Sequence, residues 1–193
     1  MSFDSLFQFE KALAEFTGAP YAVVTDGCTH ALELCLRYDQ VEHVGIPART
    51  YISIVQKLKQ LDIGYYFLDE EWTGEYRLVD TRIWDSARLL KRGMYRGYQL
   101  QCLSFGHGKP LQLGKGGAIL TDSLRAYETL SRMRSDGRDL RISPWEKQQS
   151  FTQGYHYCPT LETCQLGIEK LPLVEQEPKY YQYPDLRSID FVN

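Results

Sequence analysis

The sequence predicts an α/β protein with three layers, in which helices cover both faces of a mostly parallel β-sheet. Over residues 4–68, short apolar runs rich in β-branched residues alternate with amphipathic stretches of helical spacing. Such a β-α-β-α-β rhythm is typical of parallel strands joined by crossover helices. The composition agrees, because 193 residues with 43% apolar and 24% charged side chains are typical of a globular protein.

The first helix is predicted over residues 4–17, where Leu6, Phe9 and Leu13 share one face and Gly18 ends the helix. A buried strand at 21–25 follows, and a second helix opens at Thr29. The remaining elements of this half are predicted as a strand at 44–46, a helix from about 50 to 61 and a strand at 65–68.

The second half of the chain is less regular. We expect an extended stretch at 78–84, strands at 99–105 and 118–121, helices at 123–134 and 160–171, and polar loops between them. The predicted organisation is one domain over residues 1–171, followed by an irregular tail over 172–193 that is rich in proline and tyrosine, including Tyr180, Tyr181 and Tyr183.

Charge and composition exclude several classes of protein. The net charge of −3 argues against a nucleic-acid binder, which is usually basic. No apolar run approaches the ~18 residues of a membrane span, and the acidic N-terminal segment is unlike a signal peptide. The five cysteines have scattered spacings that favour reduced thiols over disulfides, and no metal site is predicted. We therefore expect a cytoplasmic protein.

A lysine in a glycine-rich loop is the main candidate for chemistry. Ligands of parallel sheets lie at the carboxyl ends of strands, and Lys109 follows the predicted strand 99–105. The loop is not a P-loop, because Leu103 and Pro110 stand where that motif needs Gly and Ser or Thr. If Lys109 is partly desolvated, it can attack carbonyl groups as a nucleophile. The alternative, which residue type alone favours, is a solvated lysine on the surface.

Four segments resemble the DegT/DnrJ/EryC1/StrS family of pyridoxal-phosphate-dependent nucleotide-sugar aminotransferases, which have fold type I. The most specific is Ser-Phe-Gly-His-Gly-Lys-Pro-Leu-Gln-Leu-Gly-Lys-Gly-Gly-Ala at 104–118, which is similar to the family's lysine loop. The others are Thr-Asp-Gly-Cys-Thr-His-Ala-Leu-Glu-Leu at 25–34, Ile-Pro-Ala-Arg-Thr-Tyr-Ile at 46–52 and Trp-Asp-Ser-Ala at 84–87. With weaker echoes at 134–137 and 154–162, the resemblance spans roughly residues 7–171.

The resemblance implies that pyridoxal 5'-phosphate is the cofactor and that Lys109 and Asp85 are the catalytic residues. Lys109 would form the Schiff base with the cofactor aldehyde and then move protons. Asp85 would pair with the pyridinium nitrogen and keep it protonated.

The resemblance also implies the remaining cofactor-binding residues. The backbone N–H groups of Cys28 and Thr29, at a helix N-terminus, would bind the phosphate, and the hydroxyls of Thr29 and Ser104 would add donors. Tyr51 would stack on the cofactor ring. His156 stands where the family has an asparagine that reaches a neighbouring subunit's phosphate, and a surface histidine is the alternative reading.

The implied activity is transfer of an amino group from glutamate to a nucleotide-linked keto-sugar. Two alternatives remain open: a cofactor-binding protein without turnover, and a pyridoxal-phosphate enzyme of another reaction type acting on a small amino or keto compound. The family builds each site from two chains, so the resemblance also implies a homodimer to which residues 154–160 of the neighbour contribute.

Four departures from the family pattern concern the surroundings of the site. Between Leu68 and Asp85 the chain has a short link where the family has a strand–helix–strand passage, and after Leu171 the family continues into a second domain. Arg88 stands where the family prefers Gln or His, and Cys158 replaces an arginine.

Overall fold

A computed structural model describes residues 2–174 and 181–191 of the chain. Helices and strands alternate as predicted over the first half, and their bounds move by one or two residues. The helices are α1 (Asp4–Thr17), α2 (Cys28–Tyr38), α3 (Ile52–Gln60), α4 (Leu124–Arg134) and α5 (Leu161–Lys170). The strands are β1 (Tyr21–Thr25), β2 (His43–Pro47), β3 (Gly64–Leu68), β4 (Tyr76–Arg77), β5 (Ile83–Asp85), β6 (Leu100–Ser104) and β7 (Gly117–Thr121).

The strands form a five-stranded sheet in the order β1-β7-β6-β5-β4 and a parallel pair, β2-β3. Strand β7 is antiparallel to both of its neighbours, β5 is parallel to β6, and β4 is antiparallel to β5. An antiparallel bridge between Gly45 of β2 and Val79, just after β4, joins the two pieces. Among the described strands, β1, β2, β3, β5 and β6 therefore point the same way, which confirms the mostly parallel α/β sheet.

The extended stretch expected at 78–84 is wrong, because the chain makes a tight turn there. Asp80 adopts the left-handed conformation with φ of 68°, and the Thr81 hydroxyl donates to the Leu78 carbonyl and accepts from the Ile83 N–H. The turn reverses the chain, so that β4 runs back along β5. As a result, the first residue of β4, Tyr76, pairs with the last residue of β5, Asp85.

Helices cover both faces of the sheet. Alternate residues of β1 face opposite sides: Val23 packs in a cluster with α2, α3 and α4, and Val24 packs in a cluster with α1 and α5. A buried ion pair between Glu10 of α1 and Arg134 of α4 crosses the edge of this sheet. Both side chains also bond to the backbone of Val24, so the pair ties two helices to β1.

Residues 181–191 fold back onto the chain. Leu186 is buried and its N–H donates to the carbonyl of Ala48, just after β2. Of the tail tyrosines, Tyr183 is buried at 8% exposure and Tyr181 is half exposed, while Tyr180 lies outside the described residues. Among the helices of the described ranges, none is both long and apolar enough to cross a membrane. The five cysteines are free thiols.

Candidate active site

A cavity of about 670 Å³ opens at the carboxyl ends of the parallel strands. The loops after β1, β2, β5 and β6 all reach it, because strands that run in one direction end at the same edge of a sheet. Six of the seven residues predicted for the site line this cavity: Cys28, Thr29, Tyr51, Asp85, Ser104 and Lys109.

The N-terminus of α2 forms one wall of the cavity. The helix begins at Cys28 after the extended residue Gly27, and its first N–H groups have no carbonyl partner within the helix. Gly117 makes this arrangement possible, because a Cβ there would lie 2.4 Å from the Cys28 nitrogen. The Thr29 hydroxyl lies 2.8 Å from that of Ser53, a lining residue on α3 that the motifs did not indicate. This wall can bind an anion.

Asp85 supplies a carboxylate at the floor of the cavity. Its Oδ1 accepts the Ala87 N–H at 3.0 Å, and its Oδ2 accepts the Tyr76 hydroxyl at 3.0 Å. Tyr76 also accepts a hydrogen bond from the buried Thr50 hydroxyl at 2.9 Å. Burial raises the pKa of Asp85, and the bonds from Ala87 and Tyr76 partly offset this rise. The carboxylate can therefore bind a cationic group in the cavity.

Lys109 lies in the loop between β6 and β7 and faces the same space. Burial lowers the pKa of its ammonium group, and the neighbouring positive charge of Arg88 lowers it further, while Asp85 opposes both effects. A lysine with a lowered pKa carries a larger fraction of neutral amine, which is the nucleophilic form.

Lys115 stands in the same glycine-rich loop but in a different environment. Its side chain is 76% exposed, and its ammonium lies 3.3 Å from the Asp26 carboxylate. Lys115 is thus exposed and paired with a carboxylate, whereas Lys109 is half-buried, so the structure places the two lysines in different surroundings.

Aromatic side chains and an arginine form the outer wall. Trp72 stacks on Tyr183 at a ring-centroid distance of 5.7 Å, and the guanidinium of Arg88 lies 4.1 Å from the centroid of Tyr181. Tyr51, which is 56% exposed, meets Tyr183 edge to face. The sequence alone does not place residues 181–191 at this wall, because nothing local in the tail indicates which surface it covers.

His156 lies outside the cavity. Its side chain is 89% exposed and its Nδ1 is 3.1 Å from the Asp136 carboxylate. The structure therefore brings together every predicted site residue except this one.

Residues 3–74 match the sequence model of the DegT/DnrJ/EryC1/StrS aminotransferase family. The predicted family resemblance is confirmed. The matched segment includes the N-terminus of α2 and Tyr51, whereas Asp85, Ser104 and Lys109 lie beyond it. A comparison with curated proteins finds no match.

Solved structures extend the likeness in fold over most of the chain. PseC from Helicobacter pylori, an aminotransferase involved in the biosynthesis of pseudoaminic acid, is 18% identical with a TM-score of 0.71, covering 87% of this chain and 57% of its own. A Brucella abortus DegT DnrJ EryC1 StrS aminotransferase is 17% identical with a TM-score of 0.73 and coverages of 88% and 58%. DesI, solved in the presence of its TDP-sugar product, is 18% identical with a TM-score of 0.70 and coverages of 89% and 53%.

These likenesses show the fold. The chain spans little more than half the length of the proteins it matches.

Proposed function

We propose that the protein binds pyridoxal 5'-phosphate and acts as an aminotransferase, with glutamate as amino donor and a nucleotide-linked keto-sugar as acceptor. The observation that carries the proposal is the convergence of Lys109, Asp85 and the N-terminus of α2 in one cavity. These three features are separated in sequence, and each matches a different part of the cofactor.

The cavity residues fit the cofactor in charge as well as in position. The buried Asp85 carboxylate receives hydrogen bonds but has no arginine or lysine in direct contact within the described residues, so a pyridinium would supply the missing cation. The N–H groups of Cys28 and Thr29, with the hydroxyls of Thr29 and Ser104, would hold the phosphate. Tyr51 would cover the ring.

When bound, pyridoxal phosphate supplies an aldehyde and an electron-withdrawing ring. Asp85 keeps the positive charge of the ring nitrogen in place. Lys109 would provide the amine that holds the cofactor, and its neutral Nζ would serve as the base that accepts and returns a proton. The lowered pKa of Lys109 suits this second task, because a general base must be neutral at working pH.

Two proteins of similar fold support a sugar substrate. PseC is described as an aminotransferase of pseudoaminic acid biosynthesis, and DesI was solved with its TDP-sugar product. The cavity volume of about 670 Å³ leaves room for a ligand beside the cofactor.

The experiment that tests this function is titration of the protein with pyridoxal phosphate, followed by borohydride reduction and peptide mapping. We expect visible absorbance and a pyridoxyl group on Lys109. The Lys109→Ala variant should lose both, whereas Lys115→Ala, a matched change in the same loop, should keep both. A label on Lys115, or no label, would contradict the proposal.

Addition of amino acids to the loaded protein separates the alternatives. A spectrum that changes with glutamate and is restored by a keto-sugar nucleotide supports aminotransfer. A cofactor-binding protein without turnover would keep its spectrum unchanged. A spectrum that changes without recovery would favour another pyridoxal-phosphate reaction, such as elimination or decarboxylation.

We also propose that the protein is a cytoplasmic homodimer. The free thiols support a reducing compartment. Trp145 and Phe151, both half exposed, stack edge to face at 6.2 Å in the loop that precedes residues 154–160, the part for which the resemblance implies contact with a neighbour. Light scattering at micromolar concentration tests the dimer, and a monodisperse monomer with and without cofactor would contradict it.

A further inference from the structure

Arg88 is a cation in the cavity that the proposed chemistry has not used. It lines the same space as Lys109, and its charge is close enough to lower the pKa of that lysine. Within residues 2–174 and 181–191, no carboxylate forms an ion pair with it. Two neighbouring cations repel each other in a partly enclosed cavity, so an anion that binds between them is stabilised by both.

The guanidinium of Arg88 is held in one orientation by three groups. Its Nε donates to the Tyr183 hydroxyl at 3.1 Å, and its Nη1 donates to the Gly108 carbonyl at 3.1 Å. The face of the guanidinium lies over the Tyr181 ring. Among the described residues, no acceptor lies within hydrogen-bond distance of the Nη2 N–H groups.

The tail segment 181–191 provides two of those three groups, and it is fixed independently of Arg88. Leu186 is buried and bonded to the Ala48 carbonyl, and Asp185 lies 3.4 Å from Arg49. The segment thus positions Tyr183 against Arg88.

We propose that Arg88 binds the carboxylate of the amino donor and that Tyr183 positions it for this task. The two oxygens of a carboxylate match the paired N–H groups along one edge of a guanidinium. Because Lys109 lies in the same cavity, a carboxylate on Arg88 would bring the amine of the same small molecule toward the cofactor aldehyde. The inference rests on the proposed function, since it names the donor site of that reaction.

The test is binding of glutarate, a dicarboxylate that has no amine and cannot react. Its dissociation constant is measured by titration calorimetry on the protein loaded with pyridoxal phosphate. Arg88→Gln should weaken glutarate binding roughly tenfold to a hundredfold, because a hydrogen-bonded charge pair is lost. Arg88→Lys should retain part of the affinity. Arg92→Gln is the matched control, because Arg92 is exposed and lies over the Phe16 ring outside the cavity, and it should leave the affinity unchanged.

Tyr183→Phe tests the positioning role without removing the charge. The aromatic ring remains to pack against Trp72, but the hydroxyl that accepts from Arg88 is lost. We expect glutarate to bind several-fold more weakly while pyridoxal phosphate binds as in the wild type. Equal glutarate affinity in this variant would overturn the role of Tyr183.

Several results would overturn the assignment of Arg88. The wild type could fail to bind glutarate, or Arg88→Gln could bind it with unchanged affinity. Arg88 could also be required for binding pyrophosphate instead of glutarate, which would place a nucleotide diphosphate there. A failure of the proposed function is seen separately, as the absence of visible absorbance before glutarate is added. The titration is then run on the cofactor-free protein, where Arg88-dependent binding supports the carboxylate site and Arg88-independent binding overturns it.

Discussion

Removal of one hydroxyl should show how the buried carboxylate of Asp85 is held. In Tyr76→Phe, the chain of hydrogen bonds from Thr50 through Tyr76 to Asp85 is cut at its centre. All three residues are buried, with exposures of 1%, 3% and 7%. The phenyl ring still packs against Trp72 at a centroid distance of 4.8 Å, so no large cavity is expected.

The magnitude follows from the two bonds that are lost. A hydrogen bond to a charged group contributes about 1.5–3 kcal/mol, and the Thr50 hydroxyl left without its acceptor costs about 1 kcal/mol more. We expect the free energy of unfolding at neutral pH to fall by about 2–4 kcal/mol. Burial raises the pKa of Asp85 above its ordinary value of 3.8, and the Tyr76 hydroxyl opposes this rise by stabilising the ionised form. Once Asp85 is protonated at lower pH, the Tyr76 bond involves a neutral partner and the loss should shrink.

Urea unfolding of the cofactor-free protein at neutral and acidic pH measures this effect. Tyr66→Phe is the matched control, because Tyr66 also donates to an aspartate, Asp80, at 3.1 Å but does so on the surface. The control should cost less than about 1 kcal/mol. Equal losses in the two variants, or a Tyr76→Phe loss that does not change with pH, would refute the reasoning.

Three further predictions concern single sites. Asp85→Asn should weaken the binding of pyridoxal phosphate, measured by absorbance titration, without lowering the free energy of unfolding at neutral pH, because it removes a buried charge. Arg134→Met should cost about 3–5 kcal/mol in urea unfolding, because it leaves Glu10 buried without its partner, and adding Glu10→Gln should recover part of that loss. Gly117→Ala should weaken phosphate binding in calorimetry far more than Gly106→Ala, since the new Cβ would lie 2.4 Å from the nitrogen that opens α2, against 3.8 Å from the nearest atom at Gly106.

Local pattern in the sequence predicts much of the fold and most of the candidate site. Helical spacing and the terminating Gly18 locate α1 to the residue, and Asp85 and Lys109 come at strand ends, where such folds place ligands. The reversal at Asp80 was not predicted, because a strand of two residues has no periodicity that indicates its direction. The contact between Arg88 and Tyr183 could not be predicted from the sequence for a different reason. The two residues are 95 positions apart, and only the folded chain brings them together.

The narrow connection between β2 and the larger sheet bears on how stability is distributed. Within the described residues, the bridge between Gly45 and Val79 is the only β-pairing that links the two pieces of sheet. A part held by few backbone hydrogen bonds opens at a lower free energy than the whole molecule. Thr50 and Tyr51 line the cavity from the β2 side and Asp85 and Lys109 from the other, so a bound ligand touches both parts.

A molecule that binds only the closed arrangement adds its binding free energy to the cost of opening. Amide hydrogen exchange in β2 and β3 should therefore slow on loading by a larger factor than exchange in β1 and β7. In this sense the ligand would hold the two pieces of sheet together, and exchange in β2 and β3 would report whether the cavity is filled.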